Sequence, residues 1–109
     1  MKLLTKEIEK RIPELYAQDG KGEEAIAHVK FFHACAHATW FATEYSPEDR
    51  IFFGWCELHP GCGEYGYFSL DELESVKGPL GLGIERDLHF KPQPVGEAIR
   101  TWKRERGVA

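Results

Sequence analysis

The 109-residue sequence has no apolar run that approaches the roughly 20 residues needed to span a bilayer. Its first seven residues become charged before the apolar core of a signal peptide could form. These two absences predict a cytoplasmic protein with no membrane association. The chain is also of a length typical of one domain, which we place over residues 1–109.

Basic side chains are fewer than acidic ones. The sequence contains 14 lysines and arginines against 18 aspartates and glutamates, which gives a formal net charge of −4. Proteins that bind nucleic acid through its phosphates need a basic surface, so this balance argues against nucleic acid as the partner. The one basic cluster, formed by Arg100, Lys103, Arg104 and Arg106, is typical of the solvated face of a helix end.

Cysteine is scarce as well, and its count is odd. Three cysteines cannot form a closed set of internal disulfides. A chain without a secretion signal is expected to keep its thiols reduced. The cysteines are therefore predicted to be packed as small apolar side chains or to bind a metal ion.

The hydrophobic pattern predicts a helix, four strands, a helix, a strand and a final helix. Thr5 is the expected N-cap of the first helix, and Ser69 with Glu72 forms the capping box of the second. The final helix, over 94–106, carries apolar residues at helical spacing up to Trp102. The predicted strands cover residues 27–33, 39–45, 50–58, 64–68 and, as an edge strand, 84–90.

Short links between successive strands favour an antiparallel meander. We therefore predict an α+β fold, in which a sheet of four to five strands is accompanied by N-terminal, middle and C-terminal helices. One face of such a sheet can stay partly exposed to water.

Aromatic residues are numerous for so small a sheet. Trp40, Tyr45, Tyr65 and Tyr67 are predicted to line a groove on its open face and to bind a protein partner there. A small hydrolase or transferase with its site in the same groove is the alternative, since a concave pocket with polar groups suits catalysis.

Several stretches taken together resemble a known family: MKLLTKEI at 1–8, PELYA at 13–17, KFF at 30–32, TW at 39–40, EYGYFSLDELE at 64–74, GPLGL at 78–82 and IERDLHF at 84–90. The family is a bacterial group of small domains of unknown function, often encoded on plasmids, phages and conjugative elements. The resemblance covers about residues 2–95 and stops before the C-terminal helix. It implies an association with mobile DNA and implies no particular activity or catalytic residue.

Six of the eight cysteines and histidines fall between positions 33 and 62. Cys56, His59 and Cys62 share one strand end and turn, and any of His33, Cys35 and His37 could supply a fourth ligand. Four tetrahedral nitrogen and sulfur ligands suit zinc, so a structural zinc ion is one prediction. Packed cysteines with exposed histidines, and no cofactor, are the alternative. A Cys35 nucleophile between two histidines is a third interpretation.

The sequence thus predicts a small accessory protein of a mobile element that binds a protein partner through aromatic residues. A zinc-stabilised domain is compatible with that function. The enzymatic alternative has no convincing set of catalytic residues in the sequence.

Overall fold

The computed structural model describes residues 2–107, and Met1, Val108 and Ala109 lie outside this range. Three α-helices are present within it, α1 (Lys6–Arg11), α2 (Leu70–Ser75) and α3 (Val95–Glu105), besides two short 3₁₀ helices, Gly22–Glu24 and Pro79–Gly81. The strands are β1 (Ile26–Ala27), β2 (Val29–His33), β3 (Thr39–Ser46), β4 (Ile51–Glu57), β5 (Glu64–Ser69), β6 (Ile84–Arg86) and β7 (Gln93–Pro94). None of these helices has the length and apolar character that crossing a membrane requires.

The main sheet has five antiparallel strands in the order β5-β4-β3-β2-β6, and β1 pairs with β7 in a separate two-stranded ribbon. This architecture confirms the predicted α+β fold. Strands β2 to β5 form the meander, and β6 adds to the far side of β2 as an edge strand. The predicted strand over 84–90 ends early, because the Asp87 side chain accepts a hydrogen bond from the backbone N–H of His89 and turns the chain away.

Two helix starts confirm the local sequence signals. The Thr5 hydroxyl accepts a hydrogen bond from the Ile8 N–H at 3.2 Å, and the Ser69 hydroxyl accepts one from the Glu72 N–H at 3.2 Å. Each bond satisfies a backbone donor that has no partner within the helix. The chain leaves α1 at Ile12, which is extended because a proline follows it.

The larger part of the core covers one face of the sheet. Strand residues on this face pack against the N-terminal segment, Ile8 of α1 and residues of α2. The buried members are Leu3, Leu4, Ile12, Val29, Phe31, Ala38, Trp40, Ala42, Tyr45, Phe52, Leu70, Leu73 and Ile84. Burial of this apolar surface is the main stabilising contribution to the fold.

Helix α3 covers part of the opposite face. Val95, Ala98 and Trp102 on the helix pack against Phe41 and Trp55 of the sheet. The sheet face that we expected to stay partly exposed to water is therefore partly covered by α3. The remaining part, over the other ends of β3, β4 and β5, borders a pocket.

A β-bulge in β3 changes which residues face which side. Ala42 pairs with Gly54, but Glu44 pairs with Phe53, so Thr43 is an extra residue in the strand. Because side chains alternate along a strand, the extra residue moves Tyr45 to the face that Ala42 occupies and Glu44 to the other. Gly54 makes the close pairing here feasible, since a Cβ at this position would lie 1.9 Å from the carbonyl oxygen of Phe41.

We predict that Trp102→Ala lowers the free energy of unfolding by about 3 kcal/mol or more. Its indole is 5% exposed and meets the Trp55 ring edge-on, with 5.7 Å between centroids, so truncation leaves a cavity between α3 and the sheet. Urea unfolding measures the loss. Glu105→Ala, an exposed change on the same helix, is the matched control, and an equal effect of the two would contradict the docking of α3.

Candidate functional site

A pocket of about 440 Å³ opens on the sheet face that α3 leaves uncovered. Its walls come from the loop that follows α1 and from β3, β4 and β5. The lining residues are Tyr16, Gln18, Asp19, Gly20, Gly22, Ala25, Thr43, Glu44, Phe53, Tyr65 and Tyr67. They include three tyrosines and two carboxylates, and none of them is basic.

The three tyrosines form the exposed walls of the pocket. Tyr65 is 44% exposed, Tyr67 55% and Tyr16 66%, which is high for side chains of this size. Tyr67 meets Phe53 edge-on with 5.1 Å between ring centroids. The hydrogen bond to Tyr16 raises the pKa of the Tyr67 phenol, and partial burial raises the pKa of Tyr65. Both phenols therefore stay neutral at physiological pH and present uncharged aromatic surface.

A buried carboxylate lies at the base of the pocket. Glu44 is 5% exposed, and each of its oxygens accepts a backbone N–H, from Tyr16 at 2.8 Å and from Gln18 at 2.7 Å. Hydrogen bonds to a charged acceptor are stronger than neutral ones. They hold Tyr16 at a positive φ of 72°, a conformation that an ordinary residue adopts only at a cost.

The neighbouring amide of Gln18 fixes the same loop to the sheet. Its nitrogen donates to the carbonyls of Ile26 and Thr43, each at 2.9 Å, and its oxygen accepts from the Ile26 N–H at 2.6 Å. The side chain is thus fully bonded although it is buried. Together Glu44 and Gln18 make the pocket a preformed part of the fold.

The structure divides the four aromatic residues singled out from the sequence. Tyr65 and Tyr67 line the pocket, whereas Trp40 and Tyr45 are 7% and 2% exposed in the core of the opposite face. The expectation that all four share one open groove is therefore wrong. Trp40 alternates onto the core face with Ala42, and the bulge carries Tyr45 there as well.

Sequence reasoning missed Tyr16, Gln18 and Glu44. Residues 13–19 form a series of turns, in which the Ala17 N–H donates to the Glu14 carbonyl and the Asp19 N–H donates to the Tyr16 carbonyl. The one available signal is Glu44 itself, the one acid in the predicted strand over 39–45. A buried carboxylate needs donors, and a long loop earlier in the chain could have been expected to supply them.

The predicted zinc ligands are distributed over both faces of the sheet. Cys56 packs against the main core, where burial raises the pKa of its thiol. On the other face His37 bonds Glu57 instead, with its Nε2 2.6 Å from the carboxylate, and its ring meets Trp102 edge-on. Because side chains alternate along β4, Cys56 lies on one face of the sheet and Glu57, with its partner His37, lies on the other.

His33 is the last residue of β2, and the other remaining candidates, Cys35, His59 and Cys62, lie outside the strands. Cys35 and Cys62 are exposed. The His33 Nδ1 accepts the Cys35 N–H at 3.0 Å, and the Cys62 N–H donates to the His59 carbonyl at 3.0 Å. Within residues 2–107 no three histidine, cysteine or acidic side chains converge as a metal site.

The zinc site stays a prediction of the sequence. A structural zinc ion would make unfolding sensitive to chelators, because its binding free energy contributes to folding. If zinc binds here, dialysis against a chelator lowers the melting temperature and Cys62→Ser removes that sensitivity. Elemental analysis of protein purified without chelator decides it, since a zinc content well below one ion per chain would contradict the prediction.

We predict that Glu44→Gln lowers the free energy of unfolding by about 2 kcal/mol, since the new amide cannot accept bonds from both N–H groups. The loss is measured by urea unfolding. Glu64→Gln, an exposed change of the same kind, should have almost no effect. Equal losses in the two variants would show that Glu44 does not hold the loop.

Comparisons with known proteins add a family but no activity. The model of a family described as protein of unknown function (DUF2958) matches residues 3–106. The match runs through α3, so the family region extends beyond the limit near residue 95 that the sequence resemblance suggests. Neither the curated proteins nor the solved structures gave a match.

Proposed function

Because the chain belongs to the DUF2958 family, whose function is unknown, we propose a function from the pocket itself. The protein is a binding module that takes up a lysine or arginine side chain of a protein partner between its exposed tyrosines. The observation that carries this proposal is the pairing of aromatic walls with carboxylates in a pocket whose lining has no basic residue.

The chemistry of the walls selects a cation. The face of a tyrosine ring attracts ammonium and guanidinium groups, by about 0.5–1 kcal/mol at exposed sites and about 2 kcal/mol where water is excluded. Tyr16, Tyr65 and Tyr67 all line the pocket and supply such faces, and the phenols of Tyr16 and Tyr67 are hydrogen-bonded to each other. The long apolar stems of lysine and arginine also suit a pocket that is mostly apolar.

The carboxylates add attraction at the base and rim. Glu44 keeps unused lone pairs after accepting its two N–H bonds, and Asp19 is exposed at the rim. The nearby Glu23 is engaged by Arg100 at 2.9 Å, so this arginine is paired with an acid outside the pocket lining. A phosphate or other anion would meet repulsion here, in keeping with the acidic charge of the whole chain.

Binding is favoured over the enzymatic alternative by how the polar groups of the pocket are used. The Thr43 hydroxyl donates to the Phe53 carbonyl, and the Gln18 amide is bonded to backbone on both sides. These groups hold the loop and the strands together. A hydrolase needs instead a nucleophile within hydrogen-bond reach of a base.

The origin on a mobile element remains part of the proposal and rests on the sequence resemblance alone. Sequencing the genes that flank those of several family members tests it. Flanking genes that are chromosomal and unrelated to mobile elements would contradict it.

The cation proposal is tested by NMR titration of the ¹⁵N-labelled protein with single blocked amino acids. Acetyl-lysine methylamide and acetyl-arginine methylamide should shift the amide signals of the pocket residues saturably. The uncharged acetyl-norleucine methylamide, which has a similar stem, should bind several-fold more weakly. Equal shifts with all three probes, or none, would contradict the proposal.

Two variants separate the two sources of attraction. Tyr65→Leu removes an aromatic face and Asp19→Asn removes a charge, and each should weaken the lysine probe about fivefold, the equivalent of about 1 kcal/mol. Glu48→Gln, in the turn between β3 and β4 and outside the pocket lining, makes a similar charge change and should leave the affinity unchanged.

A further inference from the structure

The edge of the main sheet beside the pocket is open. Strand β5 is the terminal strand, and within residues 2–107 no further strand pairs with its outer side. An open edge presents N–H and C=O groups that can pair with another chain.

The hydrogen-bond register identifies those groups. The Leu70 N–H donates to the Arg50 carbonyl, and the pairing of β4 with β5 is regular from there to Cys56 opposite Glu64. In an antiparallel pair, residues that exchange hydrogen bonds alternate with residues that do not. Phe68, Gly66 and Glu64 therefore bond to β4, and the N–H and C=O groups of Tyr65 and Tyr67 point outward.

The side chains of the same two tyrosines line the pocket. One pair of residues thus offers both a backbone edge and an aromatic wall. From this coincidence we infer that the partner segment is an extended peptide that adds to β5 as a sixth, antiparallel strand and places a basic side chain in the pocket. The inference rests on the proposed function and specifies how the partner binds.

The geometry gives the peptide a sequence pattern. Residues directly opposite in an antiparallel pair have side chains on the same face of the sheet. The peptide residues opposite Tyr67 and Tyr65 are two positions apart, and both project toward the pocket. The residue between them lies over Gly66, where a Cβ would meet no atom within 4 Å. A basic residue, any residue and a second basic residue is the expected pattern.

The two edges of the sheet differ in a way that supports this assignment. The opposite edge, β6, is three residues long and carries Glu85 and Arg86, which are the short length and charge that discourage pairing. Strand β5 is six residues long, and it contains no lysine and no proline. It carries one charge, Glu64, at its first position.

Charge also favours a peptide over a second copy of the chain. Two copies joined through β5 would form one continuous sheet with both pockets on the same face. That arrangement would place Glu44 and Asp19 of both copies on one face of the joined sheet, and these are like charges. A basic segment removes this repulsion and pairs with the same backbone groups.

The test uses the blocked peptide acetyl-threonyl-lysyl-valyl-lysyl-threonine amide and two N-methylated forms. Antiparallel addition points the lysine N–H groups toward β5 and the valine N–H away from it. N-methylation of both lysines should therefore weaken binding by about tenfold or more, since it removes bonds and adds a clash. N-methylation of the valine should change the affinity by less than about threefold, on the same reasoning.

Amide hydrogen exchange gives a second readout on the protein. In the free protein the Tyr65 and Tyr67 amides should exchange rapidly, and the Gly66 and Phe68 amides should be protected. Addition of the unmodified peptide should protect Tyr65 and Tyr67. Protection of these two amides before any peptide is added, together with a particle mass of twice 12.5 kDa, would show that a second copy occupies the edge and would overturn the inference.

The two proposals fail in different ways. If the blocked lysine and the peptide both bind but neither form of N-methylation matters, strand addition is wrong and the proposal of a cation-binding pocket stands. If neither probe binds, the proposed function itself is wrong. Equal losses from methylating lysine and valine would also overturn the antiparallel arrangement.

Discussion

The single extra residue in β3 determines what each face of the sheet carries. Because Thr43 is inserted opposite the regular pairing, Tyr45 enters the main core, where its ring lies 4.6 Å from that of Phe52. The same shift turns Glu44 to the opposite face, under the loop that follows α1. Without the bulge a carboxylate would lie in the apolar core and a tyrosine would lie under the loop, because a one-residue shift reverses every side chain beyond it. The core and the pocket therefore depend on the same irregularity.

The pocket then follows from the need to satisfy a buried charge. A carboxylate removed from water is costly unless donors replace the lost hydration. The backbone N–H groups of Tyr16 and Gln18 do so, which draws the loop over the ends of β3 and β4 and leaves a gap beside Tyr65 and Tyr67. The hydrogen bonds that stabilise the loop thus also place an aromatic side chain, Tyr16, beside Tyr67 of β5, to which its phenol is hydrogen-bonded.

The parts of the fold that sequence reasoning predicted are those set by neighbouring residues. Thr5 and Ser69 act as helix caps, and the extents of β3, β4 and β5 match their apolar runs to within about two residues, as local signals allow. The bulge was missed because no local pattern specifies it, and the contact that accompanies it, Glu44 with the backbone near residue 16, joins segments far apart in the sequence. The two-stranded ribbon of β1 and β7 was also missed. Each of its strands has only two residues, which is too short to show a hydrophobic periodicity. Two of the four aromatic residues predicted for the open face lie in the core instead. The bulge places Tyr45 there, and strand alternation places Trp40 there.

The residues of the pocket differ in what they can reveal about function. Glu44 and Gln18 hold the loop to the sheet, so changing either alters the shape of the pocket as well as its chemistry, and a loss of binding in such variants would not separate the two. Tyr65 and Asp19 lie at the exposed wall and rim, and no hydrogen bond from their side chains supports the fold within residues 2–107. A change at these two positions alters what the pocket can attract while the framework stays in place. The arrangement thus separates the groups that build the site from the groups that are free to meet a ligand, as expected of a preformed binding surface.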